Sequence, residues 1–369
     1  MKQVVVLGST GNVGQQVLDE CRALKDSFNV IAVSGYHNEE LLRQQIEEFK
    51  PLYYGFSQDL DVSIKRCSLN DLATLEEADI VIITLGGIVA LEPTLSALKA
   101  HKRVLSSNKE SIVCGGVFIN ELLQKGYGSL VPLDSEHSAV YELIQAFKDD
   151  DITDIAITAS GGSLRDYTRD EIKAMDKDEL YQKVTTNPNW SMSPAITVET
   201  SNLGNKALEI IEAHELFGFS KDHIKAYQHS ESIIHGCVTL ANHEMWALES
   251  KPDMHFPVRY ALTGRAPQKL RRLGVSEQKK RLHTIDTIRH PLMTLAYEVL
   301  GHPLNQTIMC SVIHGVTDLY LHHKIEYLDM DDMIINLTHM YMNKTDKYEL
   351  DVHTIIELYD MIYNWIIIK

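Results

Sequence analysis

The chain has 369 residues, with 35 Lys and Arg against 51 Asp and Glu, a formal net charge of −16, and apolar and charged fractions of 44% and 23%. Those fractions describe a globular protein with room for two or three domains, and the acidic balance argues against a nucleic-acid partner, whose phosphates need clustered cations. Five cysteines, an odd number without CxxC pairs or zinc-ligand spacing, read as free thiols in a reducing cytoplasm, and no run of 18 apolar residues exists to span a membrane.

The opening MKQVVVLGSTGNVG reads as a strand and a glycine turn rather than a signal peptide. From there to residue 134 short apolar runs (QVVVLG, FNVIAVSG, ADIVIITLG, RVLSSN, SLVPLD) alternate with helical segments. That alternation predicts parallel βαβ units in a doubly wound, Rossmann-like α/β domain over residues 1–134. The first strand-to-helix turn is GSTGNVG: Gly8, Ser9, Thr10, Gly11, Asn12, Val13 and Gly14. Glycines there let the backbone turn tightly against a pyrophosphate, while the helix start offers N–H donors, so these seven residues are candidate dinucleotide ligands. The spacing is GxxGxxG rather than GxGxxG.

The second strand ends in AVSGYHN, which lacks the acidic residue that an NAD site places against the ribose 2′-hydroxyl. This favours NADPH, with Ser34, Gly35, His37 and Asn38 as candidate contacts; an exposed loop histidine has the same signature. After a further strand comes SSNKESI, with Asn108, Lys109 and Glu110 at the strand's carboxyl end, where open α/β sheets bind ligands. Lys109 could hold a substrate hydroxyl or carbonyl, although a surface lysine looks no different.

The stretch VPLDSEHSAVYE follows. In an extended chain, side chains two apart point the same way, so Asp134 and Glu136 could converge on a cation while Ser135 faces elsewhere. A helix N-cap reads equally well from DSE.

Residues 135–264 are predicted to be a mixed α+β catalytic and dimerisation domain. In ITASGGSLRD, Ser160, Gly161 and Gly162 make either an anion-binding nest or a plain turn. Trp190 and Met192 lie in a proline-bearing loop that could close as a lid, or anchor a core. In the predicted helix GNKALEIIEA, Asn205, Lys206 and Glu209 share a face, so a phosphate could sit on the first two and a cation on the third. Asp134, Glu136 and Glu209 are hard oxygen donors suited to Mg2+ or Mn2+ rather than zinc. SESIIHGCVTLANHEMWALES predicts two strands joined near Asn242. Residues 265–285, with the basic run Lys269 to Arg281, read as a solvated linker, and 286–369 as a small helical bundle.

Taken together, GSTGNVG, SNKES, PLDSEHSAVYE, TASGGSLRD, PNWSMSPAITVET, NKALEIIEA and SKPDMHFPVRYAL stand in the order found in 1-deoxy-D-xylulose 5-phosphate reductoisomerases, and the chain resembles that family over residues 1–265, more weakly beyond. The resemblance implies an NADPH- and divalent-metal-dependent homodimer of three domains that acts on a sugar phosphate. It implies metal ligands at Asp134, Glu136 and Glu209, and Lys109 between metal and substrate. It also implies substrate contacts at Ser135, Ser160, Thr200 (a serine in the family), Asn205, Lys206 and His229, with Trp190 and Met192 in the closing loop. The implied reaction is a retro-aldol cleavage and re-addition at a metal-chelated carbonyl, followed by hydride reduction to 2-C-methylerythritol 4-phosphate.

Four positions depart from the family pattern. Asn187 stands for a histidine, Ser230 and Glu231 for proline and glutamine, and Gly204 for a methionine, which predicts a larger pocket beside Asn205; MCSVIHG replaces an asparagine-rich helix start. These changes keep open a paralogue acting on another ketose phosphate, or a sugar-phosphate binder without activity. A semialdehyde dehydrogenase would need Cys114 as nucleophile.

Overall fold

The computed structural model describes residues 1–187, 192–265 and 269–368. The chain divides into two compact units, Met1–Tyr141 with Asp253–Gln268, and Glu142–Pro252 with Lys269–Lys369.

The first unit is built on strands β1 (Lys2–Leu7), β2 (Phe28–Ser34), β3 (Tyr53–Gly55), β4 (Lys65–Arg66), β5 (Ile80–Ile83), β6 (Arg103–Ser106) and β7 (Ser129–Pro132). Every pairing is parallel, in the order β4-β3-β2-β1-β5-β6-β7. The order reverses at β1, which creates a crevice at its carboxyl end. Strand residues such as Val4, Val6, Ile80 and Ile82 are sealed by Val17 and Leu18 of the helix Asn12–Ala23. A run apolar on both faces is what a sheet covered by helices on both sides requires. The helix His255–Thr263 belongs to this unit: Arg259 donates to Glu20 at 2.7 Å, and Val258, Ala261 and Leu262 join the core.

The second unit holds β8 (Ile152–Ala159), β9 (Ile224–Gln228), β10 (Ile234–Leu240), β11 (Met245–Glu249), β12 (Lys269–Leu273) and β13 (His283–Thr284), in the order β12-β11-β10-β8-β9-β13. Strands β10 and β11 pair antiparallel across residues 241–244, the hairpin expected near Asn242. The basic run is not a solvated linker. Lys269–Leu273 is an edge strand, and its cations are matched by carboxylates: Arg271 with Glu249 and Glu277, Arg272 with Glu244, Arg281 with Glu231 and Glu249. Pairing with β11 sets Arg271 diagonal to Glu249, and the following helix Val275–Arg281 brings Glu277 and Arg281 to the same edge, an arrangement that charge composition alone does not reveal.

Beyond it lie the helices Leu292–Val299, Pro303–Leu321, Met330–Met342 and Val352–Ile368. Gly315 permits the close crossing of two of them, since a Cβ there would sit 3.0 Å from the Ile366 side chain. Among the described residues no helix is long and apolar enough to cross a membrane.

Candidate active site

The glycine turn after β1 is fixed by backbone packing. Gly8 has φ +90°, and a Cβ on it would lie 2.7 Å from the Thr84 backbone; one on Gly14 would lie 2.2 Å from the Gly8 carbonyl oxygen. The helix Asn12–Ala23 has Gly11 as its N-cap, makes no side-chain cap bond and carries no acidic residue in its first turn. Its positive end is therefore left for an anion. Ser9 is buried, donating to the Ser34 carbonyl at 3.0 Å and to Gln45 at 2.6 Å, whereas Gly11 and Asn12 are exposed and Thr10 and Val13 half-buried.

Ser34, expected to face a 2′-phosphate, is instead buried, and its hydroxyl accepts from the Gly8 N–H at 3.0 Å. It braces the turn rather than a ligand. Gly35 is half-buried and His37 exposed, while the Asn38 side chain caps the helix Glu39–Phe49 by accepting from Leu41 N at 3.0 Å.

Asn108 and Glu110 also turn out to be braces. The Asn108 amide donates to the Leu85 and Gly87 carbonyls, each at 3.0 Å, and Glu110 accepts from Gly87 N at 2.9 Å. Together they hold the 85–87 loop at the carboxyl end of β5, beside the glycine turn. Lys109, next to them, donates to the Asp134 carboxylate, and both side chains are less than a fifth exposed.

The extended geometry expected for 134–136 is not what forms. Strand β7 stops at Pro132 and a helix starts at Ser135, with Ser138 N donating to the Asp134 carbonyl at 2.7 Å. Asp134 and Glu136 still approach, with carboxylate oxygens within 4.8 Å. A helix start brings them together as well as strand alternation does, because the chain turns between them. Ser135 donates to Glu136 at 2.6 Å, and buried His137 lies 4.0 Å from Asp134.

In the second unit, Ser160 follows β8, and Gly161 and Gly162 come next with φ of +83° and +68°; the Gly162 N–H points to Ser160 Oγ at 3.3 Å. A Cβ on Gly162 would lie 2.6 Å from Ser201 Cα, so this loop packs directly on the turn before the helix Gly204–Phe217. Along that helix Asn205 and Lys206 both donate to Glu209, which is 2% exposed. The shared face expected from their spacing is present. Thr200 directs its hydroxyl to the Ile196 carbonyl at 2.7 Å. Gly204 does not enlarge a pocket: a Cβ there would meet Asn202 at 3.0 Å, Ile313 at 3.5 Å and Leu292 at 3.6 Å, so C-terminal helices fill the space.

His229 is 1% exposed, and its Nδ1 lies 3.0 Å from the Arg281 carbonyl. A carbonyl only accepts, so Nδ1 carries the proton. Burial holds the imidazole below its usual range, which keeps it neutral and leaves Nε2 as an acceptor. Nε2 makes no hydrogen bond among the described residues; Glu231, 3.8 Å away, pairs with Arg281 at 3.2 Å. Trp190 and the residues 188–191 lie outside the described residues; Met192, just after, is half-buried. Cys114 is fully buried in the helix Lys109–Gln124, which removes it as an accessible nucleophile.

The fold and these two sets of residues define an α/β protein with a parallel, doubly wound sheet in its first unit and, in its second, a buried carboxylate that accepts from an asparagine and a lysine. Family models described as 1-deoxy-D-xylulose 5-phosphate reductoisomerase match residues 4–62 and 54–116, those of its C-terminal domain residues 130–217, and those of a DXP reductoisomerase C-terminal domain residues 250–362. The 1-deoxy-D-xylulose 5-phosphate reductoisomerase of Halalkalibacterium halodurans is 34% identical over 356 residues, covering 90% of this chain and 91% of its own. That of Bacillus subtilis is 36% identical over 277 residues, 71% of each. The chain belongs to the 1-deoxy-D-xylulose 5-phosphate reductoisomerase family. A crystal structure of DOX-P reductoisomerase with fosmidomycin and magnesium superposes with a TM-score of 0.87 at 22% identity, covering 99% of this chain and 97% of the other. The Zymomonas mobilis enzyme in complex with NADPH does so with 0.83 at 23% identity, covering 100% and 98%. At that identity the two structures establish the fold.

Proposed function

We propose that this chain converts 1-deoxy-D-xylulose 5-phosphate to 2-C-methyl-D-erythritol 4-phosphate with NADPH and Mn2+ or Mg2+, as a cytoplasmic homodimer. The observation that carries this reading is the match along nine-tenths of the chain to curated reductoisomerases. The donor set fits a hard cation, which Asp134, Glu136 and Glu209 would hold. Within each unit a lysine ammonium already lies on the carboxylate, Lys109 on Asp134 and Lys206 on Glu209. These are carboxylates whose charge needs compensation.

When bound, the cation polarises the substrate's carbonyl and adjacent hydroxyl oxygens, and NADPH supplies the hydride. The protein's own residues orient the sugar. Lys109 donates to a substrate oxygen, Ser135 contacts the substrate, and neutral His229 accepts from a hydroxyl through Nε2. Ser160, Thr200, Asn205 and Lys206 take the phosphate. Trp190 and Met192 close over the site and exclude water. The nucleotide is assigned to the Gly8–Gly14 turn with Gly35, His37 and Asn38, on a crevice edge braced by Asn108 and Glu110. In functional terms residues 1–134 bind nucleotide, 135–264 perform catalysis and pair subunits, 269–285 complete the edges of the second sheet, and 286–369 form the C-terminal helices.

The test is steady-state oxidation of NADPH by purified protein with Mn2+ or Mg2+ and a panel of ketose phosphates. Turnover of deoxyxylulose phosphate well above xylulose and ribulose phosphates is expected. The reverse preference would assign the chain to another ketose phosphate, and binding without NADPH oxidation would make it a non-catalytic relative.

A further inference from the structure

The C-terminal helices make specific polar contacts with the two loops assigned above to phosphate. Arg289, just before the helix Leu292–Val299, donates from one guanidinium nitrogen to the Leu164 and Tyr167 carbonyls, both at 2.6 Å, which pins the segment following Ser160, Gly161 and Gly162. The hydroxyls of Ser201 and Tyr327 lie 3.0 Å apart, and the Asn202 amide donates to Asp331 at 3.1 Å. His290, half-buried, reaches the backbone of Asn202.

The Asn202 contact has a defined consequence. Its amide has one donating and one accepting end. With the nitrogen given to Asp331, the oxygen faces Gly204 N–H and accepts from it at 2.9 Å. That bond closes the turn in which Leu203 adopts φ +63°, a conformation unfavourable for a leucine, and from which the helix bearing Asn205, Lys206 and Glu209 begins. Asp331 thereby selects the amide orientation that starts the helix in this direction. The turn in turn meets Gly162 directly, so the two loops share one scaffold.

We infer that Arg289, Tyr327 and Asp331 are positioning residues that set the spacing of the two phosphate-recognising loops, giving the C-terminal helices a part in phosphate affinity. The inference rests on the phosphate assignment in the proposed function.

The experiment uses the full-length protein and variants Asp331→Ala, Asp331→Asn, Tyr327→Phe and Arg289→Met. Inorganic phosphate affinity is measured by calorimetry, NADPH affinity by fluorescence, and kcat/KM for deoxyxylulose phosphate by NADPH oxidation. Loss of one buried hydrogen bond predicts that Asp331→Ala and Tyr327→Phe each weaken phosphate binding about fivefold, with kcat/KM falling in parallel. NADPH affinity stays unchanged, and Asp331→Asn, which retains an acceptor, stays within about twofold of the parent. Phosphate affinity that is untouched in Asp331→Ala and Arg289→Met overturns the inference, as does equal loss of phosphate and NADPH binding. A parent protein that binds phosphate without turning over deoxyxylulose phosphate refutes the proposed function instead, and the calorimetric comparison still decides this one.

Discussion

The glycine turn of the first unit and the Asn205, Lys206 and Glu209 cluster of the second are built on opposite plans. At Gly8 and Gly14 the geometry is backbone against backbone, so close that a single added carbon on Gly14 would lie 2.2 Å from a carbonyl oxygen. At Asn205, Lys206 and Glu209 the geometry is side chain against side chain, on a helix whose start is set by residues more than a hundred positions downstream. At Gly14 the reason lies within the seven-residue motif, although Gly8 also packs on the distant Thr84 backbone. The side-chain cluster depends on contacts across its whole unit, and that difference decides how each region responds to substitution.

The largest effect is expected at Glu209. Replacing Glu209→Gln removes a charged oxygen donor and leaves the buried Lys206 ammonium without its carboxylate. Metal-dependent turnover should fall by about 100-fold or more while NADPH affinity is retained, because the nucleotide turn shares no residue with it. Equal loss of both would erase the contrast between the regions.

Gly14→Ala should act the other way. The clash is with backbone and cannot be relieved by a rotamer change, so a cost of about 1–3 kcal/mol is expected, read as a lower melting temperature and NADPH binding weakened about tenfold or more. Phosphate affinity measured by calorimetry should remain. An alanine variant with normal NADPH affinity would show that the turn does not bear on the nucleotide.

A smaller effect sharpens the comparison through pH. Burial and the neighbouring Arg289 hold His290 down to about 4 from an ordinary 6.5. The folded chain keeps the ring neutral, whereas the unfolded chain takes up a proton first as pH falls, so stability present above pH 6.5 is lost on acidification toward 4. The difference is at most about 3 kcal/mol. His290→Gln should flatten that part of the stability profile, measured by denaturant unfolding between pH 7 and 4.5. Parallel profiles would contradict it.

What could be read before folding follows the same division. The alternation of strands and helices, the glycine turn, the β10–β11 hairpin and the common face of Asn205, Lys206 and Glu209 are periodic or local features, and each is present. Asp134 and Glu136 were expected to approach and do, although by a helix start rather than strand alternation, since a DSE stretch after an apolar run satisfies both patterns. The brace roles of Ser34, Asn108 and Glu110 were illegible, because their partners at Gly8 and Gly87 lie more than twenty residues away. The same holds for the pairing of the basic run with Glu231, Glu244 and Glu249, and for the C-terminal contacts to residues 164, 167, 201 and 202. Glu231, read in the sequence as a departure bearing on the substrate, pairs in the structure with Arg281.

The most direct measurement is anomalous scattering from crystals of the protein grown with Mn2+ and NADPH. The account predicts one manganese peak bonded to oxygens of Asp134, Glu136 and Glu209, with the nicotinamide alongside. Manganese held elsewhere, or without all three of these carboxylates, would contradict it.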